Sequence, residues 1–204
     1  METMLEMDRR ALMQRAMVLL GATALAGCDF LPGSKTAATL RPDQAKLLGA
    51  FSDTLIPQTD TPGSLGAGVP KVFAQMYSDW ASDKTREELS GALDRIDAAA
   101  VKEKGKGFAD LSPADRQAFL AGYDKAALVD VPPPADAPKG NPFAPVISVV
   151  DNGYAKLKDL VATIYYTSET ALTKELVYEH VPGGWTASVK VTPQTRPAIT
   201  FGAF

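Results

Sequence analysis

The chain has 204 residues, of which 46% are apolar and 22% are charged, and its formal net charge at pH 7 is −3. This composition is ordinary for one soluble globular domain and argues against a disordered chain, and the lack of a basic excess argues against nucleic acid as a partner. The single cysteine, Cys28, and the single histidine, His180, exclude an internal disulfide framework and a metal site built from several such residues.

The first 27 residues have the pattern of an export signal. The pair Arg9-Arg10 precedes an apolar stretch at 16–26, which is too short for a transmembrane helix because spanning a bilayer takes about 20 apolar residues. The moderate hydrophobicity of this stretch, diluted by Gly and Ala, favours the twin-arginine export route. The general secretory route is the alternative, since its signals also carry arginines.

The export signal ends in the motif Leu25-Ala26-Gly27-Cys28, which matches the bacterial lipobox. In such a motif the cysteine thiol receives a diacylglycerol, and cleavage leaves the cysteine as the lipidated N-terminus. The only cysteine of the chain falls at the required position, so we expect Cys28 to be lipidated. An acyl anchor contributes about 0.8 kcal/mol per buried methylene. The sequence therefore predicts a protein anchored on the periplasmic side of the bacterial inner membrane, with residues 28–39 as a polar tether.

Residues 40–204 are predicted to form one helical domain, because apolar residues recur at helical spacing along most of this region. The predicted helices are 41–56, 69–81, 83–103, one that begins at Ser112, 146–167, and a short one that ends at Leu176. Pro57 and Gly105 are expected to end the first and third of these helices. Ser112 is expected to cap the fourth, with Pro113 in its first turn.

The remaining segments of the domain are predicted to be irregular. Residues 58–68 are rich in turn-forming types, and the five prolines at 129–142 predict an extended surface linker. The chain after residue 182 is expected to be irregular or briefly extended. With no internal repeat and no alternation of strands and helices, the predicted fold is all-α, with about five to six helices and an irregular C-terminal tail.

The second predicted helix carries apolar side chains at near-ideal helical spacing. Phe73 and Tyr77 alternate with Val72, Met76 and Trp80 over little more than two turns. Such a pattern is more often a core face than a platform for a substrate. We therefore expect Tyr77 and Trp80 to lie in the core.

The sequence offers few groups for catalysis, since it contains no phosphate-binding loop, dinucleotide fingerprint, serine nucleophile elbow or zinc-protease motif. The carboxylate pairs Glu87-Glu88 and Glu175 with Glu179 are expected to lie on solvated helix faces. Asp60 could ligate a cation, although an aspartate in such a loop more often accepts hydrogen bonds from nearby backbone amides. The sequence therefore predicts no catalytic, cofactor-binding or metal-binding residue in this chain.

Three segments resemble a known family, the first and the third closely and the second, between Leu93 and Gln117, more weakly. The first reads DTLIPQTDTPG at 53–63 and continues to Pro70. The other close match reads YYTSE at 165–169, followed by KELVYEHVPG at 174–183. These segments resemble the gluconate 2-dehydrogenase subunit 3 family, the small subunits of membrane-bound, flavin-dependent sugar and polyol dehydrogenases.

The resemblance implies a non-catalytic subunit with no cofactor of its own. Its partner would be a large, FAD-containing subunit of the glucose-methanol-choline type, and a haem c subunit often completes such complexes. By the same resemblance the small subunit supports folding and export of the large one. This fits the twin-arginine route, which moves folded and often cofactor-loaded proteins. No CxxCH motif is present, so this chain is not expected to carry the haem.

The partner contact is expected in the third segment, whose amphipathic aromatics are of the kind that protein interfaces favour. The candidate residues are Tyr165, Tyr166, Ser168, Glu169, Tyr178 and Trp185. The alternative, held equal, is that these aromatics close the core of the domain itself. Because Cys28 is assigned to lipid, the association is expected to be non-covalent.

Two other functions stay open from the sequence. One is a stand-alone periplasmic lipoprotein with a structural or ligand-binding role. The other is an enzyme that uses Asp60 or the carboxylates of Glu175 and Glu179. A subunit should expose an apolar patch for its partner, whereas a stand-alone lipoprotein should be a well-behaved monomer.

Overall fold

The computed structural model describes residues 39–133, 148–178, 188, 190–192 and 195–199. All of them belong to one compact unit, Thr39–Phe204. The predictions for the export signal, for Cys28 and for most of the tether lie outside the described residues, as does the second half of the proline-rich linker.

The described part of the chain is helical, which confirms the all-α prediction. Its five α-helices are α1 Pro42–Leu55, α2 Val69–Asp79, α3 Asp83–Lys104, α4 Pro113–Ala127 and α5 Asn152–Tyr166. A short 3-10 turn, Phe108–Asp110, follows α3, and a π-helical turn, Ala171–Glu175, follows α5. The described part of the C-terminal tail contributes only a parallel pairing of two-residue strands, β1 Val177–Tyr178 with β2 Ala198–Ile199.

The first four helices begin and end where local sequence signals place them. The hydroxyl oxygens of Ser82 and Ser112 accept hydrogen bonds from backbone amides in the first turns of α3 and α4, at 3.2 Å in both cases. Gly105 ends α3 with a φ of 72°, a left-handed conformation that favours glycine. These bounds agree with the predicted ones to within two residues.

Helix α5 begins six residues later than predicted, because the segment before it is extended. Val149 forms an antiparallel bridge with Asp130, in which the amide of Val131 donates to the carbonyl of Ser148 at 2.9 Å. Asp151 then caps the helix. The first part of the proline-rich linker is therefore paired with the chain before α5, and Val150 is 61% exposed.

The core lies between α1, α3 and α5, with α2 and α4 packed at its sides. On α1 the apolar residues Leu47, Leu48 and Phe51 are all at most 4% exposed. The ring of Tyr154 on α5 meets that of Phe51 edge-on, with 6.0 Å between the centroids. Full burial of an aliphatic or phenyl side chain contributes about 1.5–3 kcal/mol, so these contacts hold the helices together.

Only one of the two apolar stripes of α2 is buried. Phe73 and Tyr77 lie in the core as predicted, at 0% and 7% exposure. Val72, Met76 and Trp80 are 40%, 38% and 85% exposed, so the prediction that Trp80 lies in the core is wrong. The reason is geometric, since the neighbouring helices contact one face of α2 and Trp80 stands just beyond its last turn.

Candidate functional site

The loop between α1 and α2, residues 56–68, closes on itself. The amide of Ser64 donates to the carbonyl of Ile56 at 2.9 Å, and the amide of Val69 donates to the carbonyl of Ser64 at 3.0 Å. Gly63 sits so close to the backbone that a Cβ there would lie 2.5 Å from the amide nitrogen of Gln58. A glycine is therefore required at this position of the TDTPG sequence.

This loop is fastened to the end of α5. The hydroxyl of Tyr165 donates to the carbonyl oxygen of Pro62 at 2.8 Å, and burial raises the pKa of that hydroxyl. The contact brings together the first and third sequence segments, which are 103 residues apart at this point. Tyr165 is 2% exposed, so its ring belongs to the core, whereas the ring of Tyr166 beside it is 46% exposed.

The turn after α5 is organised by Ser168. Its hydroxyl donates to the carbonyl of Tyr165 at 2.6 Å, and the hydroxyl oxygen accepts from the amide of Ala171 at 3.1 Å. Ser168 thus ends α5 and begins the π-helical turn, which is a structural role. The neighbouring Glu169 is exposed to solvent.

Charged side chains connect the loop, the π-helical turn and the C-terminal tail. Arg196 pairs with Asp60 and donates to Glu175 at 3.3 Å, and the hydroxyl of Thr61 also donates to Glu175. A hydrogen bond from Thr59, together with the charge of Arg196, lowers the pKa of Asp60. Both carboxylates are engaged within the fold, an arrangement that favours a structural role over a catalytic one.

Two carboxylates that were expected on solvated helix faces, those of Glu175 and Glu88, form ion pairs within the domain. Glu175 was expected on a solvated face, but its side chain is only 22% exposed and lies in the Arg196 cluster. Glu88 of α3 pairs with Lys156 of α5 and so connects two helices. Glu87 is exposed as expected.

An exposed apolar surface runs along α2 and the adjoining side of α5, and we call it the α2–α5 face, defined by Val72, Met76, Trp80 and Tyr166. A groove of about 480 Å³ opens on it beside Trp80. The apolar residues that line this groove are Met76, Tyr77, Trp80, Ala81, Leu89 and Leu160. This surface was not predicted from the sequence, although α2 has more apolar residues than one helix face can bury.

The family model for gluconate 2-dehydrogenase subunit 3 matches residues 42–183. The chain belongs to the gluconate 2-dehydrogenase subunit 3 family. This confirms the resemblance found in the sequence, and it makes the chain a small, accessory subunit of an oxidoreductase complex. No curated protein and no solved structure matches it.

The family match contains both the loop 56–68 and the end of α5, the two segments that Tyr165 joins. Of the predicted contact residues in this subunit 3 chain, Tyr166 and Glu169 are exposed, whereas Tyr165 and Ser168 are engaged within the fold. The side chain of Tyr178 lies outside the described residues, as do Trp185, Glu179 and His180. The contact of Tyr178 and Trp185 with a partner stays a prediction.

The described residues of this subunit 3 chain give no group of three or more His, Cys, Asp or Glu side chains placed to hold a metal ion. None of the helices in the described ranges is long and apolar enough to cross a membrane. The features of the described part that bear on function are therefore a fastened loop and an exposed apolar face.

Proposed function

We propose that this chain is the non-catalytic small subunit of an FAD-dependent dehydrogenase of the glucose-methanol-choline type, which oxidises a sugar or polyol such as gluconate. The observation that carries the proposal is the family match over residues 42–183. The engagement of Asp60 and Glu175 by Arg196 supports a non-catalytic role. FAD would be held by the large subunit, and haem c by a third subunit where one is present.

The test of this proposal is purification of the tagged chain from membranes of its native host in a mild detergent, followed by a visible spectrum and a gel. The expected result is a larger flavoprotein in stoichiometric amount, with dye-linked sugar or polyol dehydrogenase activity. A colourless single band, even after chemical cross-linking in the membrane, would contradict the proposal and favour a stand-alone lipoprotein.

The small subunit is also proposed to carry the export signal for the complex. Arg9-Arg10 would direct the folded, cofactor-loaded pair through the twin-arginine route. Replacing both by lysine (Arg9→Lys with Arg10→Lys) is expected to leave both subunits in the cytoplasm, as measured by fractionation and activity. Dehydrogenase activity that still reaches the periplasmic side would refute the escort role.

The third element of the proposal is the lipid anchor at Cys28. Its acyl chains would hold the complex at the periplasmic side of the inner membrane. The Cys28→Ser variant is expected to release the subunit into the soluble periplasmic fraction. If metabolic labelling with a radioactive fatty acid shows no lipid on the unsubstituted protein, the anchor is refuted.

A further inference from the structure

The α2–α5 face is an apolar surface that no described residue covers. Trp80 is 85% exposed, Tyr166 46% and Val72 40%. Burial of each of these apolar side chains would be favourable. A contiguous exposed apolar patch marks an interaction site in a soluble domain. Tryptophan, tyrosine and methionine are also the residue types that the centres of protein interfaces favour.

The exposed residues lie on or next to two helices that contact each other, α2 and α5. The loop 56–68 leads into the beginning of α2, and Tyr165 fastens that same loop to the end of α5. At the other end, Trp80 lies beside Asp159 and Leu160 of α5, with which it lines the groove. Val72 and Trp80 are eight residues apart, about 12 Å along a helix. The face is therefore long enough for a short segment of another chain.

The groove on this face has an apolar floor and walls. Tyr77 and Leu89 are 7% and 1% exposed and form its base, and Met76 and Trp80 stand at its side. Methionine adapts its shape readily and tryptophan offers a large rigid surface, a combination suited to receiving an apolar side chain. The volume of about 480 Å³ accommodates one or two large side chains.

The charges at the groove indicate what kind of partner fits. Two charged residues line it within the described part of the chain, Lys156 and Asp159. Lys156 is neutralised by Glu88, whereas no cation of the described residues pairs with Asp159. The edge of the groove therefore has a negative charge to be matched by lysine or arginine.

This negative edge disfavours two other occupants of the α2–α5 face. An anionic lipid surface would be repelled by Asp159. A second copy of the chain in a two-fold dimer would bring another such groove, whose lining cation Lys156 already pairs with Glu88, so that Asp159 would gain no free cation from that lining. A polypeptide that combines a large apolar side chain with a basic residue matches both the apolar lining of the groove and the carboxylate of Asp159.

We propose that the α2–α5 face is the docking surface for the catalytic dehydrogenase subunit, which inserts a large apolar side chain, flanked by lysine or arginine, beside Trp80. This inference rests on the proposed function, which supplies the partner. The groove accounts for most of the binding free energy, because apolar burial at the centre of an interface dominates affinity. Asp159 orients the segment and selects for a basic residue.

The first experiment compares exposed apolar residues on and off the face. Trp80→Ser and Val72→Gln change the face, and Val101→Gln is the matched control because Val101 is 48% exposed on α3 and does not line the groove. The complex is purified from native membranes, and the flavin retained per small subunit is measured. Trp80→Ser is expected to weaken retention about tenfold or more, Val72→Gln less, and Val101→Gln not at all.

The second experiment tests the charge of the partner. Asp159→Lys is expected to weaken retention at low ionic strength, with a difference that shrinks as salt is added. Glu87→Lys on α3 is the control, since Glu87 is exposed and does not line the groove. Retention that is unchanged or improved in Asp159→Lys would overturn the assignment of a basic partner segment.

The remaining outcomes separate the alternatives. If the unsubstituted chain retains a flavoprotein and Trp80→Ser retains it equally, the docking surface is wrong and the proposed function stands. If the unsubstituted chain retains none, both proposals fail. Binding of the full-length Cys28→Ser protein to phosphatidylglycerol–phosphatidylethanolamine vesicles, or its dimerisation on a sizing column, would overturn the surface assignment if Trp80→Ser abolished it.

Discussion

The first turn of α5 and the α2–α5 face differ in whether their side chains have partners within the domain. At the first turn Asp151 accepts two hydrogen bonds from Arg95, at 2.6 and 2.8 Å, and Tyr154 donates to Asp124, which also pairs with Lys158. We call these five residues the Asp151 network. On the α2–α5 face, apolar side chains are left exposed instead.

The difference separates residues that stabilise the fold from residues that are available to a partner. In the Asp151 network each named side chain has a partner inside the domain, so substitutions there should lower the free energy of unfolding. On the α2–α5 face the side chains are half or fully exposed, so substitutions should change association and leave stability intact. The following predictions test this contrast.

Asp151→Ala is expected to lower the free energy of unfolding by about 3 kcal/mol. The variant loses the cap on the amide of Tyr154 and two charge-assisted bonds from Arg95. Urea denaturation measures the change. Asp151→Asn, which keeps a capping oxygen, should lose less than Asp151→Ala, and equal losses would contradict the role of the cap.

Gly63→Ala is expected to cost about 2–3 kcal/mol, because the new methyl group would press on the backbone of Gln58 and Pro57. Gly122→Ala in α4 is the matched control, since no atom lies within 4 Å of a Cβ there, and alanine favours a helix. Thermal unfolding of both variants measures the difference. Similar melting temperatures would show that the loop 56–68 is not closed as described.

Tyr154→Phe is expected to cost about 1 kcal/mol near neutral pH, the net value of one hydrogen bond. Burial, then the hydrogen bond to Asp124, raises the pKa of the Tyr154 hydroxyl above its usual value. The unfolded chain therefore releases this proton at lower pH than the folded chain does. The stability from Tyr154 is present below about pH 10 and is lost as the pH rises above it.

The measurement is the free energy of unfolding in urea at several pH values between about 8 and about 11, a span that crosses the ordinary pKa of tyrosine. The Tyr154→Phe variant should lose less stability over this interval than the unsubstituted protein. Parallel curves for the two proteins would count against the role of this hydroxyl.

Trp80→Ser has the smallest expected effect on folding, within about 0.5 kcal/mol, because its side chain is 85% exposed. Chemical denaturation checks this in the same preparation that tests partner retention. A loss above about 2 kcal/mol would place Trp80 in the core and remove the contrast between the two regions.

Local signals in the sequence predicted most helix bounds, as at Ser112 and Gly105, because caps act on the nearest turn of backbone. Asp151, which caps α5, is such a signal, but the extended segment before it could not be predicted in this way. Val149 continues the apolar spacing of the helix, but its backbone is held by Asp130, and nothing near Val149 in the sequence indicates that pairing. The bridge is a tertiary contact.

The sequence by itself determined the helical class and the family, through helical spacing, caps, and the two segments that match at 53–70 and 165–183. Only the tertiary structure decided that Tyr165 is buried while Trp80 is exposed, and that Glu175 meets Arg196. The physical reason is that spacing shows which side chains share a helix face. Which face is buried depends on where neighbouring helices pack, and those contacts join residues far apart in the chain.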